Sequence, residues 1–332
     1  VTRDDTLVML CEDKILSAVS KKDALYNADG NPQLIASNRV VGDVVPYKGD
    51  WGVSKNPESV AMSPKGIYFT DASRGAVLWL NPSGLSPISS IGMENYFLSL
   101  KDTAITPGSI RGTFDIRKGE YNVTLLSGHA ITVSFSERSK SWVSFKSFVL
   151  ETGISLNNDY YSFNKGDLWL HHVSDSHNVF HGEDFAPSTV TTIFSDTTGA
   201  VKSFGTLNYT GSKARVTAFK NKSADFFNNN YADSDGTTST SSINDLEYIN
   251  LNAVAGWYMA SLTTDLQNGG EVEFKEKEGK WFGSPTGIAK NAGSAFIPED
   301  LNTAEFSTQG LGIADASIDS AGGGDVTITT IK

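Results

Sequence analysis

Residues 66–80, GIYFTDASRGAVLWL, set two runs of β-branched and aromatic residues on either side of a polar turn, Asp71-Ala72-Ser73-Arg74-Gly75. That is the signature of a β-hairpin, and it recurs. GTFDIRKGEYNVTL (112–125), YYSFNKGDLWL (160–170) and TIFSDTTGAVK (192–202) each place an apolar strand, an Asp or Asn, a short turn with Gly, and a second strand in the same order. The turn glycines are Gly75, Gly119, Gly166 and Gly199, separated by 44, 47 and 33 residues. A tight hairpin turn usually needs positive φ at one position, which Gly supplies without a Cβ clash. LVMLCEDKILSAV (7–19) is a weaker copy without the glycine.

A period of roughly 45 residues with several strands in each is the spacing of β-propeller blades. Each blade is a small antiparallel sheet that cannot cover its own faces, so blades pack on one another. The expected fold is therefore all-β, a β-propeller of multi-stranded antiparallel blades over residues 1–300, clearest over 59–222. A β-sandwich with similar hairpins is the alternative, because turn signals every 8–12 residues or so also suit it. Trp79, Phe114, Phe145, Phe148 and Trp169 are expected to be buried between blade faces. YNVTLLSGHAITVSF (121–135) adds a hairpin turning at Ser127-Gly128, and EVEFKEKEGKWFG adds a last one at Glu-Gly. MENYFLSLKD (93–102) is the best helix candidate, with Tyr96, Phe97 and Leu100 on one side.

Three stretches stand outside the pattern. Residues 24–50 read as turns with short strands. Residues 223–245 are rich in Asn, Ser, Thr and Asp and poor in apolar residues, and read as a long polar insertion loop. Residues 301–332 read as a Gly/Ala/Ser/Asp linker ending in a new strand, DVTITTIK, the start of a further segment. Because the chain opens on Val1, almost directly into a strand, both ends are expected to continue into a longer polypeptide. The propeller is then incomplete at its N-terminus.

The net charge of −11 is uneven. Residues 1–222 hold 22 Lys+Arg and 22 Asp+Glu, whereas residues 223–332 hold 5 and 16. Sequence-specific nucleic-acid binding wants a basic patch, which this distribution argues against. No apolar run approaches the ~18 residues of a membrane-spanning helix.

The one cysteine, Cys11, lies in an apolar run and reads as a buried, inert thiol. Sequons at Asn122, Asn208 and Asn221 read as chance in so Ser/Thr-rich a chain. The densest polar cluster is HHVSDSHNVFHGED (171–184), with His171, His172, His177, His181, Asp175, Glu183 and Asp184. Imidazoles and carboxylates together suit Zn²⁺. On a strand, however, His171 and His172 point to opposite faces, so the reading is an inter-blade loop with solvated histidines and no bound metal. Asp233-Ser234-Asp235-Gly236 is similar to a Ca²⁺ loop but fails the EF-hand register, with Tyr231 and Ser242 at the first and last ligand positions. Asp71 and Asp115 sit at equivalent hairpin positions, where Asp satisfies turn amides. No catalytic motif is present, and the Asp box of glycan-hydrolysing propellers is missing. No catalytic, cofactor or metal residues are assigned, and the chain reads as a non-enzyme.

Asn56-Pro57-Glu58-Ser59, then Arg74-Gly75-Ala76-Val77-Leu78, Gly92-Met93 and Tyr96-Phe97 follow one another in an order that resembles large structural proteins of tailed bacteriophages. TFDIRKGEYNVTL, SLNNDYYSFNKGDLWLHH, VKSFGTLNYTGSKARV and LQNGGEVEFKEKEGKWFG extend the resemblance along nearly the whole chain. Trp79 stands where Arg is frequent in that pattern. The resemblance implies a structural β-propeller module of a phage tail, of the nozzle or muzzle type. Its place would be the virion, its partners other tail proteins and further copies of itself, and its tasks assembly with DNA passage or host contact. The alternative is a propeller that binds or hydrolyses a host-surface glycan.

Overall fold

The computed structural model describes residues 2–3, 6–26, 32–102, 106–126, 130–194, 200–211, 213–215, 255–290, 308–310, 312–318 and 326–331. The chain is all-β, in antiparallel sheets of mostly three to five strands, and it divides into two units, 1–174 and 175–332. Among the described residues no helix is long and apolar enough to cross a membrane.

In the first unit every sheet is a meander of consecutive strands. The first sheet holds β1 (Thr2–Arg3), β2 (Thr6–Leu10), β3 (Ile15–Tyr26) and β4 (Pro32–Pro46). The second holds β5 (Ala61–Ser63), β6 (Gly66–Asp71), β7 (Ala76–Asn81) and β8 (Gly84–Pro87). After α1 (Glu94–Asp102), the third holds β9 (Ile110–Asp115), β10 (Glu120–Leu125), β11 (Ile131–Ser136) and β12 (Ser141–Lys146). The fourth has three strands, β13 (Thr152–Leu156), β14 (Asp159–Asn164) and β15 (Asp167–Leu170).

The repeated hairpins are present. Asp71 pairs with Ala76 and Asp115 with Glu120 across four-residue turns, closed by Gly75 at φ +62° and Gly119 at φ +67°. The third copy is tighter. Asn164 pairs with Asp167, and Lys165 and Gly166 both have positive φ, as a two-residue type I′ turn requires. The early copy also pairs, β2 with β3, through a turn in which the Cys11 amide donates to the Lys14 carbonyl. Cys11 is thus a turn residue, and it is exposed rather than buried, because the strand ends at Leu10. Residues 32–46, read as turns with short strands, form one long strand that keeps pairing with β3 through two register shifts.

Burial explains why 66–80 lacks alternation. Each residue of β6 is buried, so the second sheet is covered on both faces. Ile67 and Phe69 join Val8, Ile15, Val53, Leu78 and Leu80 on the side of the first sheet. On the side of the third sheet Tyr68 joins Val77, Phe97, Phe114, Tyr121, Val123 and Phe135. Tyr68 stacks on Tyr121 at 4.7 Å and on Trp79 at 5.5 Å between ring centroids. Such pairs add about 0.5–1.5 kcal/mol each beyond their burial. The expected helix is present as α1, and Phe97 carries it into this core.

Of the five aromatics expected between sheets, Phe114 and Phe148 are buried and Trp79 and Trp169 are partly buried. Phe145 is a correction: it is 53 % exposed. It lies on β12, an edge strand whose register to β11 shifts at Ser134/Phe135, and its ring meets Tyr96 edge-on.

The second unit is wired differently. Its strands are β16 (Thr189–Phe194), β17 (Ser203–Phe204), β18 (Leu207–Gly211), β19 (Trp257–Thr263), β20 (Gln267–Gly269), β21 (Lys275–Lys277), β22 (Lys280–Gly283), β23 (Gly287–Ala289), β24 (Thr308–Gln309), β25 (Gly312–Ile318) and β26 (Val326–Ile331). The sheet orders are β16-β25-β19-β20-β23, β21-β22-β18-β26 and β17-β24. The expected hairpin at 192–202 is therefore corrected: β16 pairs with β25, far away in sequence, and β17 with β24. Gly199 lies outside the described residues, as do Ser127-Gly128 and the 223–245 stretch. The 301–332 segment, read as a linker with a new strand, supplies β25 between β16 and β19, while DVTITTIK supplies β26 beside β18. The last hairpin turns at Glu278-Gly279, both at positive φ.

Two turn glycines give a matched test. A Cβ at Gly75 would lie 2.8 Å from the Phe97 carbonyl oxygen and 2.9 Å from Leu98 Cα, whereas at Gly119 it would meet nothing within 4 Å. Gly119→Ala is expected to cost about 1 kcal/mol, from the left-handed backbone alone. Gly75→Ala should cost clearly more, about 2–4 kcal/mol, because α1 must also shift. Urea denaturation of both variants measures this, and equal losses would contradict the packing of α1 on the turn.

Candidate functional site

The described side chains with chemical potential gather at two places in the first unit. The first surrounds Asp71. Its buried carboxylate accepts from Gly52 N (3.0 Å) and Ser54 Oγ (2.6 Å), and from the Arg74 amide and guanidinium (3.2 and 2.9 Å). Gly52 packs against the turn of the first sheet, where a Cβ would fall 1.9 Å from the Glu12 carbonyl oxygen. Nearby, buried Ser59 accepts from the Thr70 amide through Oγ and from the Tyr121 hydroxyl through its carbonyl (2.6 Å), and Asn56 Oδ1 accepts from Ser109 N. Asn56, Ser59, Asp71, Gly75 and Phe97 are thus all occupied in joining the second sheet to its neighbours.

The second place is the seam between the third and fourth sheets. Strand pairing puts Thr113, Asp115, Glu120, Asn122, Thr124, Thr132, Ser134, Ser136 and Lys146 on one face of the third sheet. Alternation of this kind, as in YNVTL and ITVSF, normally marks a solvated face. Here seven of those nine residues, all but Glu120 and Lys146, are buried. The fourth sheet covers them, with Gly153 bringing β13 close enough that its Cβ would lie 3.2 Å from Thr113 Cγ2. Several hydrogen bonds line the seam, although the buried Asn122 Nδ2 has no partner among the described residues. Tyr160 and Thr113 share a 2.7 Å hydrogen bond, and Ser155 Oγ donates to the Phe114 carbonyl at 2.6 Å. Lys146 Nζ donates to Glu120 Oε2 (2.6 Å) and Asn122 Oδ1 (3.1 Å). Burial pushes the Tyr160 hydroxyl up to about 12 and the Lys146 amine below its ordinary value, Glu120 opposing the latter.

The histidines divide between the units. His171 is buried, its ring near Tyr160 and Phe148 and its Nε2 2.7 Å from Ser162 Oγ. His172, at φ +64°, places Nε2 2.6 Å from Asp115 Oδ2. The two do point to different partners, but neither is the solvated loop residue expected. His177 is exposed and His181 partly buried, at the start of the second unit, where Asp175, Glu183 and Asp184 are exposed. Among the described residues no three of His, Cys, Asp and Glu are grouped as metal ligands. Asp233–Gly236 and Asn221 lie outside the described residues.

The Ser162–His171 contact has the spacing of a hydroxyl nucleophile and its base. Ser162 is wholly buried, however, so the contact serves to join β14 to the residue after β15. Asp71 and Asp115 do the turn work expected of them, Asp115 Oδ1 accepting from the Arg117 and Lys118 amides. The second role of Asp115, as anchor for His172, was not legible in the sequence. Nor was the burial of Asn122, which removes that sequon from reach of a modifying enzyme. In the second unit Arg215 lies 3.5 Å over the Tyr258 ring and pairs with Glu271 and Glu273, a clasp of the same structural kind.

No family model matches the chain, and no curated protein matches it.

Burial acts to raise the Asp115 carboxyl, but the hydrogen bond and charge of His172, the Lys118 amide and the charge of Lys146 outweigh it and hold the group below its ordinary value. A carboxyl lowered in the fold contributes stability above its unfolded pKa of about 3.9 and loses it as pH falls through the lower folded value. Urea unfolding between pH 6 and pH 2 should therefore show a steeper acid loss in the wild type than in Asp115→Asn. At pH 6 the variant should be less stable by about 1.5–3 kcal/mol. Parallel pH profiles would show that the pair contributes nothing.

Proposed function

We propose that the chain is a structural module of a bacteriophage tail, in which the consecutive meanders of the first unit are blades of a β-propeller. The observation that carries this reading is where the most specific part of the resemblance falls. Asn56, Ser59, Gly75 and Phe97 hold the second sheet to its neighbours, so the signature is one of architecture. The meanders support the blade reading. Three consecutive four-stranded sheets and a three-stranded one follow one another, and β5, β9 and β13, each the first strand of its sheet, are in contact in succession. The titratable groups of the seam support a non-enzymatic role, since Asp115 is bonded to His172, Lys146 to Glu120 and His171 to Ser162.

The module works as one copy among several in the virion, bound to other tail proteins. Residues 223–332 carry the acidic excess. If they line a conduit, their carboxylates repel DNA phosphates and let DNA slide, an effect screened beyond ~8 Å at physiological salt.

Mass spectrometry of purified virions from the phage encoding this chain should detect its peptides at stoichiometric levels, and cryo-electron microscopy should place the first-unit sheets around a common axis in the tail. Peptides found in infected cells but missing from purified virions would refute the structural reading. Cleavage of a host glycan by the isolated chain, abolished by one carboxylate substitution, would move it to the hydrolytic class.

A further inference from the structure

The first unit is nearly neutral, with 17 Lys+Arg and 18 Asp+Glu in residues 1–174, but its charge is segregated by sheet end. A meander sends alternate turns to opposite ends. The β9–β10 turn (116–119) and the β11–β12 turn (137–140) therefore share one end of the third sheet, where the Glu137 amide donates to the Gly119 carbonyl at 2.9 Å. The β5–β6 turn of the second sheet lies alongside, with Lys65 3.5 Å from Glu137. So does the start of β14 in the fourth sheet, with Asp159 3.7 Å from Arg117. Lys65, Arg117, Lys118, Arg138 and Lys140 are all exposed at this end. Most carboxylates there are already engaged. Glu137 is buried and accepts from the Tyr68 hydroxyl, while Asp115 and Glu120, which flank the first turn, receive His172 and Lys146. Lys118, Arg138 and Lys140 form no ion pair among the described residues.

We infer that this end of the unit binds the phosphate backbone of double-stranded DNA, without regard to sequence. The sign of the charge selects an anion. The cations stand on separate turns of two sheets rather than around one point, which suits a polymer of repeated charges and not a single phosphate. The remaining surface selects nucleic acid over an acidic protein. Ile116 is the only exposed large apolar residue of these turns. A protein interface is built on an apolar or aromatic centre depleted in charge, whereas a protein–DNA interface is polar and positive. Ser139, Asn157 and Asn158, also exposed, add neutral donors of the kind that accompany Lys and Arg on phosphates. No exposed aromatic ring stands on these turns to stack an unpaired base, so the duplex is favoured over a single strand. Contacts to phosphate position a protein on DNA and carry no sequence information. The binding does not rest on the virion reading and holds whether or not the chain belongs to a tail.

Fluorescence anisotropy of a short labelled duplex with the full chain, between about 50 and 200 mM salt, tests it. Binding is expected, equal for duplexes of different sequence. Its logarithm should fall against the logarithm of salt with a slope of about −3 to −5, one phosphate for each exposed cation engaged. A variant carrying Lys118→Gln, Arg138→Gln and Lys140→Asn should lower that slope by about 3 and bind at least about tenfold more weakly at the lower salt. Asn is chosen at Lys140 because the backbone there has φ +52°, which Asn tolerates. Lys48→Gln, Lys55→Gln and Lys101→Gln together remove the same charge from exposed positions elsewhere on the unit and should leave binding unchanged. Circular dichroism should be the same for both variants and the wild type. Poly-glutamate should bind more weakly than DNA, whose phosphates are more closely spaced along its axis. No binding at the lower salt, a loss no greater in the first variant than in the second, or a preference among duplex sequences would overturn the inference. Poly-glutamate bound as tightly as DNA would also overturn it and assign the surface to an acidic protein.

Discussion

A β-sheet has two faces, and a small one is stable only when both are provided for. That requirement organises the first unit. The second sheet answers it with apolar residues on each side, which is why β6 is buried along its whole length. The third sheet answers it in two ways at once. Its Phe114, Tyr121 and Phe135 side joins the aromatic core, and on its other side Thr113 meets the Tyr160 hydroxyl of the fourth sheet and Asp115 meets His172, just after that sheet.

The two kinds of seam do different physical work. Apolar contact is strong and non-directional, so in the Tyr68 layer the alignment is left to a few hydrogen bonds, Tyr68 hydroxyl to Glu137 and Tyr121 hydroxyl to the Ser59 carbonyl. A buried hydrogen-bonded seam adds less net free energy, but an error of one residue would orphan several donors and acceptors. The third and fourth sheets are therefore held in one alignment. The Asp115 carboxylate shows the economy of this arrangement, with one oxygen closing its own turn and the other receiving His172 from the end of the next sheet.

Much of this was legible in the chain. Turn chemistry is local, so the hairpins at Gly75, Gly119 and Gly166 and the Glu278-Gly279 turn could be read from a few residues each. Periodicity identified α1 for the same reason. What failed was non-local. TIFSDTTGAVK has hairpin composition, yet β16 finds its partner in Gly312–Ile318, a pairing no local pattern reveals. GLGIADASI looked like a linker because its small residues carry little strand preference, but they suit a strand with neighbours on both sides. The polar seam was hidden because alternating Thr, Ser and Asn look the same whether water or Tyr160 lies opposite. His171 and His172 were misread as solvated for that reason.

The contrast in wiring also sets a timetable on the ribosome. Each sheet of the first unit is complete as soon as its own consecutive strands have emerged, so the unit can assemble sheet by sheet while synthesis continues. The second unit has no such freedom. Its five-stranded sheet lacks an interior strand until Gly312–Ile318 is made, and β18 lacks a neighbour until Val326–Ile331 follows. Until those strands emerge, β16–β23 are thus a nascent segment with unpaired edges, open to chaperones or to neighbouring chains.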